Sequence, residues 1–233
     1  KDANITFVGC SRWLSGRAKK SYLLRGKAVL SIPNPIDTKV YHPMDQGMAR
    51  ELLGLPSGKR LLLFGALNVT DKRKGIDYLI EALRRMEKQD VELVVFGQVK
   101  DDIRGLFPVP IHSMGYLSDE SKIVALYNAV DMFITSSLEE NLPNTIMESM
   151  ACGTPCVGFE IGGIPEMIDH RVNGYVANYK DAGDLANGIQ WVLEHEDRLA
   201  LSDACVKKVQ ENYTEEVVAK QYTALYEKLL KGE

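Results

Sequence analysis

Two glutamates, Glu140 and Glu148, lie eight residues apart in the stretch SSLEENLPNTIMESMACGTPCVGF, which runs from Ser136 to Phe159. A carboxylate can accept two hydrogen bonds at once, so a pair at this spacing suits the adjacent hydroxyls of a ribose or a hexose. The pair equally suits a plainer role, with Glu140 complementing a helix N-terminus and Glu148 solvated on the helix face. A second group is Lys72, Arg73 and Lys74, set against Gly75 in FGALNVTDKRKGIDYLIEAL, Phe64 to Leu83. Cations beside the unpaired amides of a helix start could hold a phosphate, or could be a solvated charge run. The stretch is neither G-x-G-x-x-G nor G-x-x-x-x-G-K-[ST], so it carries neither a dinucleotide fingerprint nor a P-loop. A third group is EIGGIPEMI, where Gly162 and Gly163 precede Pro165 and Glu166. Adjacent glycines admit a close backbone approach, to a ligand or within a tight turn.

The elements that must position these residues alternate between short apolar runs and longer stretches of helical spacing. The runs are Leu61 to Ala66, Val91 to Gly97, Ile111 to Gly115, Asp131 to Ser136, Pro155 to Phe159 and Gly174 to Asn178. Most are nearly continuously apolar, as strands of a parallel sheet covered on both faces must be. Between them Ile76, Leu79, Ile80, Leu83 and Met86 recur at helix spacing, as do Ile123, Val124, Leu126, Tyr127 and Val130, and then Leu185, Ile189, Val192 and Leu193. The fold class is therefore α/β, a doubly wound parallel sheet with helices on both faces. In such a sheet ligands sit outside the carboxyl ends of the strands, which places Glu140 in a loop at the crevice and Glu148 in the helix that Pro143 introduces. The ends fit this sheet less well. NITFVGCS, a basic helical segment and KAVLSIPNPID read as strand, helix and strand leading into a Pro-rich link, and Val218, Tyr222, Leu225, Tyr226 and Leu229 form an apolar stripe on a last helix, Glu215 to Lys231.

With 233 residues and ordinary apolar and charged fractions, the chain is globular rather than disordered. No apolar run reaches the length of a membrane span, and no signal peptide is visible at the start. The net charge of −4 argues against nucleic acid as a partner. The distribution is uneven, because residues 1–27 carry seven cations against Asp2 alone. A basic helix of that kind suits an anionic membrane or a phosphorylated ligand as well as plain solvation. Cys10, Cys152, Cys156 and Cys205 lack the spacing and the histidine partners of a zinc site and are expected to be small buried thiols in a reducing cytoplasm.

Taken together and in order, IPNPIDTKVYHP, DKRKGIDYLIEAL, MGYLSDESKIVALYNAVDMFITSSLEENLPNTIMESMACGTPCVGF and GGIPEMIDHRVNGYVAN resemble the retaining glycosyltransferases of the GT-B fold, the group 1, family 4 enzymes that include glycogen and sucrose synthases. The resemblance covers nearly the whole chain and is strongest to bacterial enzymes that build capsular, exopolysaccharide and lipopolysaccharide chains. It implies that Glu140 lies by the donor sugar, that Glu148 binds the nucleotide ribose and that Lys74 contacts the diphosphate. Glu140 and Lys74 are then the catalytic pair. Arg73, Gly65, Asn141, Leu142, Asn144, Thr145, Tyr116 and Gly97 complete the donor site by the same resemblance. It further implies transfer of a hexose from a UDP- or GDP-sugar to a glycan or lipid-linked acceptor with retention, with neither metal nor cofactor. The location would be cytoplasmic, at the inner face of the membrane.

The family often has Gly-Arg where this chain has Gly65-Ala66, so one usual phosphate cation is missing and Arg73 is expected to substitute for it. Pro143 stands where many relatives have Gly, which removes a backbone donor. By resemblance residues 1–31 are a remnant of an amino-terminal acceptor domain, residues 32–212 the donor-binding domain and residues 213–233 a helix that packs back toward the first domain or self-associates. Two other functions fit the same residues: a module that holds a nucleotide sugar without transferring it, and a sugar-nucleotide epimerase or phosphorylase of similar fold. Fold alone does not choose among them.

Overall fold

A computed structural model describes residues 5–68, 71–86, 90–98 and 104–231. All six expected strands form one parallel sheet. They are β3 (Arg60–Asn68), β4 (Val91–Gln98), β5 (Ile111–Gly115), β6 (Met132–Thr135), β7 (Cys156–Phe159) and β8 (Gly174–Ala177), in the order β5-β4-β3-β6-β7-β8. β1 (Thr6–Gly9) and β2 (Ala28–Ser31) pair separately as a two-stranded parallel sheet, joined by α1 (Arg12–Lys20). The chain order of the large sheet reverses between β3 and β6, so the crevice of a doubly wound fold opens past the carboxyl ends of those two strands.

The apolar runs explain the layers. Leu61 and Leu63 face one core while Leu62 and Phe64 face the other, the period of two that a strand imposes. The first core is closed by α2 (Gln46–Leu53), α4 (Glu120–Ala129), α5 (Asn144–Ala151) and α8 (Arg198–Asn212). The second is closed mainly by α3 (Ile76–Arg85) and α7 (Ala182–Leu193). Each of Leu61, Leu62 and Leu63 is fully buried, worth about 1.5–3 kcal/mol apiece before the cost of ordering the chain.

A charged cluster fixes the amino end of β6. The buried Asp131 carboxylate accepts from Arg50 Nη2 at 3.1 Å, Arg60 Nη1 at 3.3 Å and the Leu61 amide at 2.7 Å, and forms an ion pair with Arg198 Nη2 at 2.8 Å. It thereby ties α2, β3 and α8 to the start of the strand whose far end leads to Glu140.

The helical periodicity of the sequence stops at Leu193 and resumes at Glu215, yet α8 fills that gap. Only Leu201, Cys205 and Val209, four residues apart, turn inward from it, a stripe too thin to stand out. The last helix, α9 (Glu215–Leu230), sets Val218 and Leu225 against Ile32, with Tyr222 beside them, while Tyr226 and Leu229 stay exposed. The Ile36 amide donates to the Tyr213 carbonyl at 2.8 Å and secures the linker beneath α9. Among the described residues no helix is long and apolar enough to cross a membrane.

Candidate functional site

The turn after β3 and the loop after β6 are locked together through their backbones. Asp71 caps a 3-10 turn, Lys72–Lys74, by accepting the Arg73 amide at 2.9 Å, and Gly75 follows at φ 64°. That left-handed conformation suits glycine, and a side chain there would also run into the Ser136 carbonyl. The Leu138 amide donates to the Arg73 carbonyl at 2.7 Å, and the Ser136 hydroxyl donates to the Lys74 carbonyl at 3.0 Å.

This double tie brings two of the expected residues into contact. Lys74 Nζ donates to Glu140 Oε1 at 2.5 Å, and the buried Ser137 hydroxyl donates to the same oxygen at 3.0 Å. The lysine side chain is 33% exposed and the glutamate 15%, so the pair faces the crevice from the wall rather than standing in solvent. Ser137 carried no spacing signal. Its position directly past an apolar strand is the only feature that could have marked it.

Glu148 has different neighbours. From the second turn of α5 it accepts the Tyr127 hydroxyl at 2.8 Å, and Tyr127 is itself buried, with Phe96 and Phe133 packed near-perpendicular to its ring. Burial raises the Glu148 carboxyl above its ordinary value, nearby Glu120 adds to that, and the Tyr127 bond opposes it. The same burial pushes the Tyr127 hydroxyl well up. Arg73 also has a partner of its own, since Asp71 receives its Nε and Nη2 with the shortest contact at 2.7 Å.

The remaining expected residues divide by what they touch. Gly65 is a packing position, because a side chain there would meet the Phe96 ring. Gly97 ends the buried part of β4 at φ 122°, and Tyr116 stands exposed just past β5. Leu142 is buried in the first core. Asn144 opens α5, where its side-chain oxygen faces Asn34 Nδ2 at 3.5 Å, and Thr145 follows half-buried. The Asn141 side chain is engaged at both ends: its Oδ1 accepts the Ser11 hydroxyl at 2.6 Å and its Nδ2 donates to Cys10 Sγ at 2.9 Å.

The glycine pair admits a close approach by the chain itself. Gly162, at φ 60°, faces the Glu140 carbonyl, and the Gly163 amide donates to the Asn141 carbonyl at 2.5 Å. Beyond them α6 (Ile164–Met167) presents Glu166, whose carboxylate accepts the Arg12 amide at 2.8 Å and the Trp13 amide at 2.7 Å. These are first-turn amides of α1, and Ser11 takes the next one, from Leu14, at 2.9 Å. Residues 10–14 therefore hold the Glu140 loop through Asn141 and the glycine loop through Glu166. The adjoining ion pair from exposed Arg12 adds little. Glu166→Ala is expected to cost about 1–2 kcal/mol, chiefly through the two amides it strands. That corresponds to a fall of about 2–8 °C in Tm, which calorimetry can read.

Burial pushes the Cys152 and Cys156 thiols up to about 12, and Cys205 upward as well, so none of the three is a ready nucleophile. Among the described residues no group of three or more His, Cys, Asp or Glu side chains is placed to hold a metal ion.

Residues 58–195 match the family model described as glycosyl transferases group 1. The N-acetyl-alpha-D-glucosaminyl L-malate synthase of Bacillus anthracis is 24% identical over 213 residues, covering 89% of this chain and 55% of that protein. A glycosyltransferase structure from Rickettsia africae superposes with a TM-score of 0.85 at 21% identity, covering 99% of this chain and 65% of its own. HepE from Anabaena, solved in complex with UDP-glucose, superposes with a TM-score of 0.77 at 19% identity, covering 96% of this chain and 64% of its own. The chain thus spans about half to two thirds of the length of these relatives.

Proposed function

The chain belongs to the group 1 glycosyltransferases, and we propose that it forms the part of such an enzyme that holds a nucleoside-diphosphate sugar in the crevice past β3 and β6. The observation that carries this reading is the Lys74–Glu140 pair at the point where the strand order reverses. The diphosphate would lie against Lys74 and Arg73, the ribose against Glu148, and the hexose toward Glu140. Gly65, Gly97, Tyr116, Leu142, Asn144 and Thr145 would shape the walls of the donor site, and Asn141 would hold the Glu140 loop in place. HepE, of similar fold, was solved with UDP-glucose, which supports a uridine diphosphate sugar as the first donor to try and a guanosine diphosphate sugar as the second.

The reaction follows from where charge develops. The bond from the anomeric carbon to the phosphate oxygen breaks, and its electron pair leaves with the nucleoside diphosphate. The acceptor oxygen then bonds to the same face of the carbon and passes its proton to the leaving phosphate oxygen on that face, which retains the configuration. Lys74 stabilises the negative charge on the leaving phosphate and Glu140 the positive charge on the sugar, with no metal in the step. The acceptor we favour is a glycan or lipid-linked sugar of the bacterial cell surface, handled in the cytoplasm at the membrane's inner face. We read residues 32–212 as the donor-binding domain, residues 1–31 as part of an acceptor domain and residues 213–233 as the helix that returns to it.

Titration calorimetry with UDP and GDP tests the donor site. Wild-type protein is expected to bind at least one of them, and Lys74→Ala to weaken that binding about tenfold or more by removing a charge-assisted bond to phosphate. Equal affinity of the two proteins would remove Lys74 from the site.

A further inference from the structure

The crevice that would take a diphosphate is electrically balanced by the chain's own carboxylates. Lys72, Arg73 and Lys74 stand on the turn after β3, and Asp71, Glu139 and Glu140 stand on that turn and on the facing loop. Arg73 lies fork to fork on Asp71, Lys74 lies on Glu140, and Glu139 is near enough to add to the field at Arg73. These six side chains carry no net formal charge, so a phosphate that takes Arg73 or Lys74 must displace a carboxylate to do so. The two segments cannot drift apart to relieve this, because the Leu138 and Ser136 bonds and the Gly75 contact hold backbone on backbone. Only side-chain torsions can change.

We propose that Asp71 sets the affinity of this site by competing with the ligand's phosphates for Arg73, so that diphosphate binding is an exchange of ion pairs. The incoming phosphates take Arg73 and Lys74, and Asp71 and Glu140 are released. This inference rests on the donor site proposed above.

Three further observations support it. Ala66 puts no cation near the end of β3, while Arg73 stands next to Lys74 on the turn that follows and already holds a carboxylate. The Arg73 side chain is 67% exposed, so its pair with Asp71 is held in water and exchanges readily. The Arg73 guanidinium and amide beside it hold the Asp71 carboxyl down at about 2, so the competitor is charged throughout the neutral range. The released Glu140 becomes available to the sugar only when Lys74 has moved onto phosphate, which joins donor binding to the freeing of the catalytic carboxylate.

Asp71→Asn isolates the charge, since the asparagine oxygen can still cap the turn by accepting the Arg73 amide. Titration with UDP and with GDP at low and high ionic strength, on wild type, Asp71→Asn, Arg73→Ala and the double variant, reads the exchange. Asp71→Asn is expected to tighten binding about fivefold at low salt, the strength of an exposed pair the ligand no longer has to break. The gain should shrink with added salt and vanish in the Arg73→Ala background. If Asp71→Asn leaves affinity within twofold or weakens it, with the melting temperature unchanged, Asp71 is a turn cap and the inference fails. If wild type binds and Lys74→Ala weakens binding, that failure leaves the donor site standing. If wild type binds neither nucleotide, both readings fall together.

Discussion

Glu140→Gln is expected to lower sugar transfer by about 100- to 1,000-fold while leaving nucleoside diphosphate affinity unchanged or improved. The magnitude is that of removing one preorganised group aimed at charge that exists only in the transition state. The direction of the binding effect follows from the ground state, where the Glu140 carboxylate occupies Lys74 at 2.5 Å and repels an incoming phosphate. Glutamine has nearly the same shape and can still accept the Ser137 hydroxyl, so the loop keeps that tie. Initial rates with saturating donor, together with a UDP titration of the same protein, separate the two effects. A variant that loses donor binding as much as turnover would show that Glu140 is a binding group and not the sugar's counter-charge.

The second large effect is on stability. Asp131→Ala should cost about 3–5 kcal/mol, because it strands a buried guanidinium rather than removing a whole ion pair. The Arg50 side chain is 6% exposed, and it would keep its bonds to the Ala129, Pro56, Ser57 and Lys59 carbonyls but lose the Asp131 carboxylate. The Leu61 amide would lose its partner in the same step. At roughly 2–4 °C per kcal/mol for a protein of this size, the melting temperature should fall by about 6–20 °C. Thermal unfolding measures it directly. A loss below about 1 kcal/mol would mean that water reaches the cluster and replaces the carboxylate. Asp131 enters β6 at its amino end and Ser136, Ser137 and Glu140 follow at its carboxyl end, so milder variants here should loosen the site before they unfold the protein.

Much of this architecture can be read in the sequence, for a physical reason. A strand buried on both faces must be apolar at nearly every position, so Leu61 to Phe64, Val91 to Val95 and Cys156 to Phe159 announce themselves. Lys74 and Glu140 could each be placed at the crevice because each follows such a strand. The pairings could not be read, since they join residues far apart in the chain. Arg50 and Asp131 are 81 positions apart and Trp13 and Glu166 are 153 apart. Glu166 reads locally as the start of a short helix and acts instead as the cap of a different one. Gly162 and Gly163 were legible as a point of close approach, but which backbone approaches, that of Glu140 and Asn141, depends on the fold. Asp71 gives no signal of its own beside three cations, because adjacent unlike charges look like ordinary surface.

The most direct test of the donor site is a crystal structure of this chain with UDP or GDP bound. The β-phosphate is expected within hydrogen-bond distance of Lys74 Nζ, the ribose hydroxyls on the Glu148 carboxylate, and Glu140 turned away from Lys74 into the space beside the phosphate. A nucleotide found elsewhere, or one seated past β3 and β6 that leaves the Lys74–Glu140 pair intact, would contradict that placement.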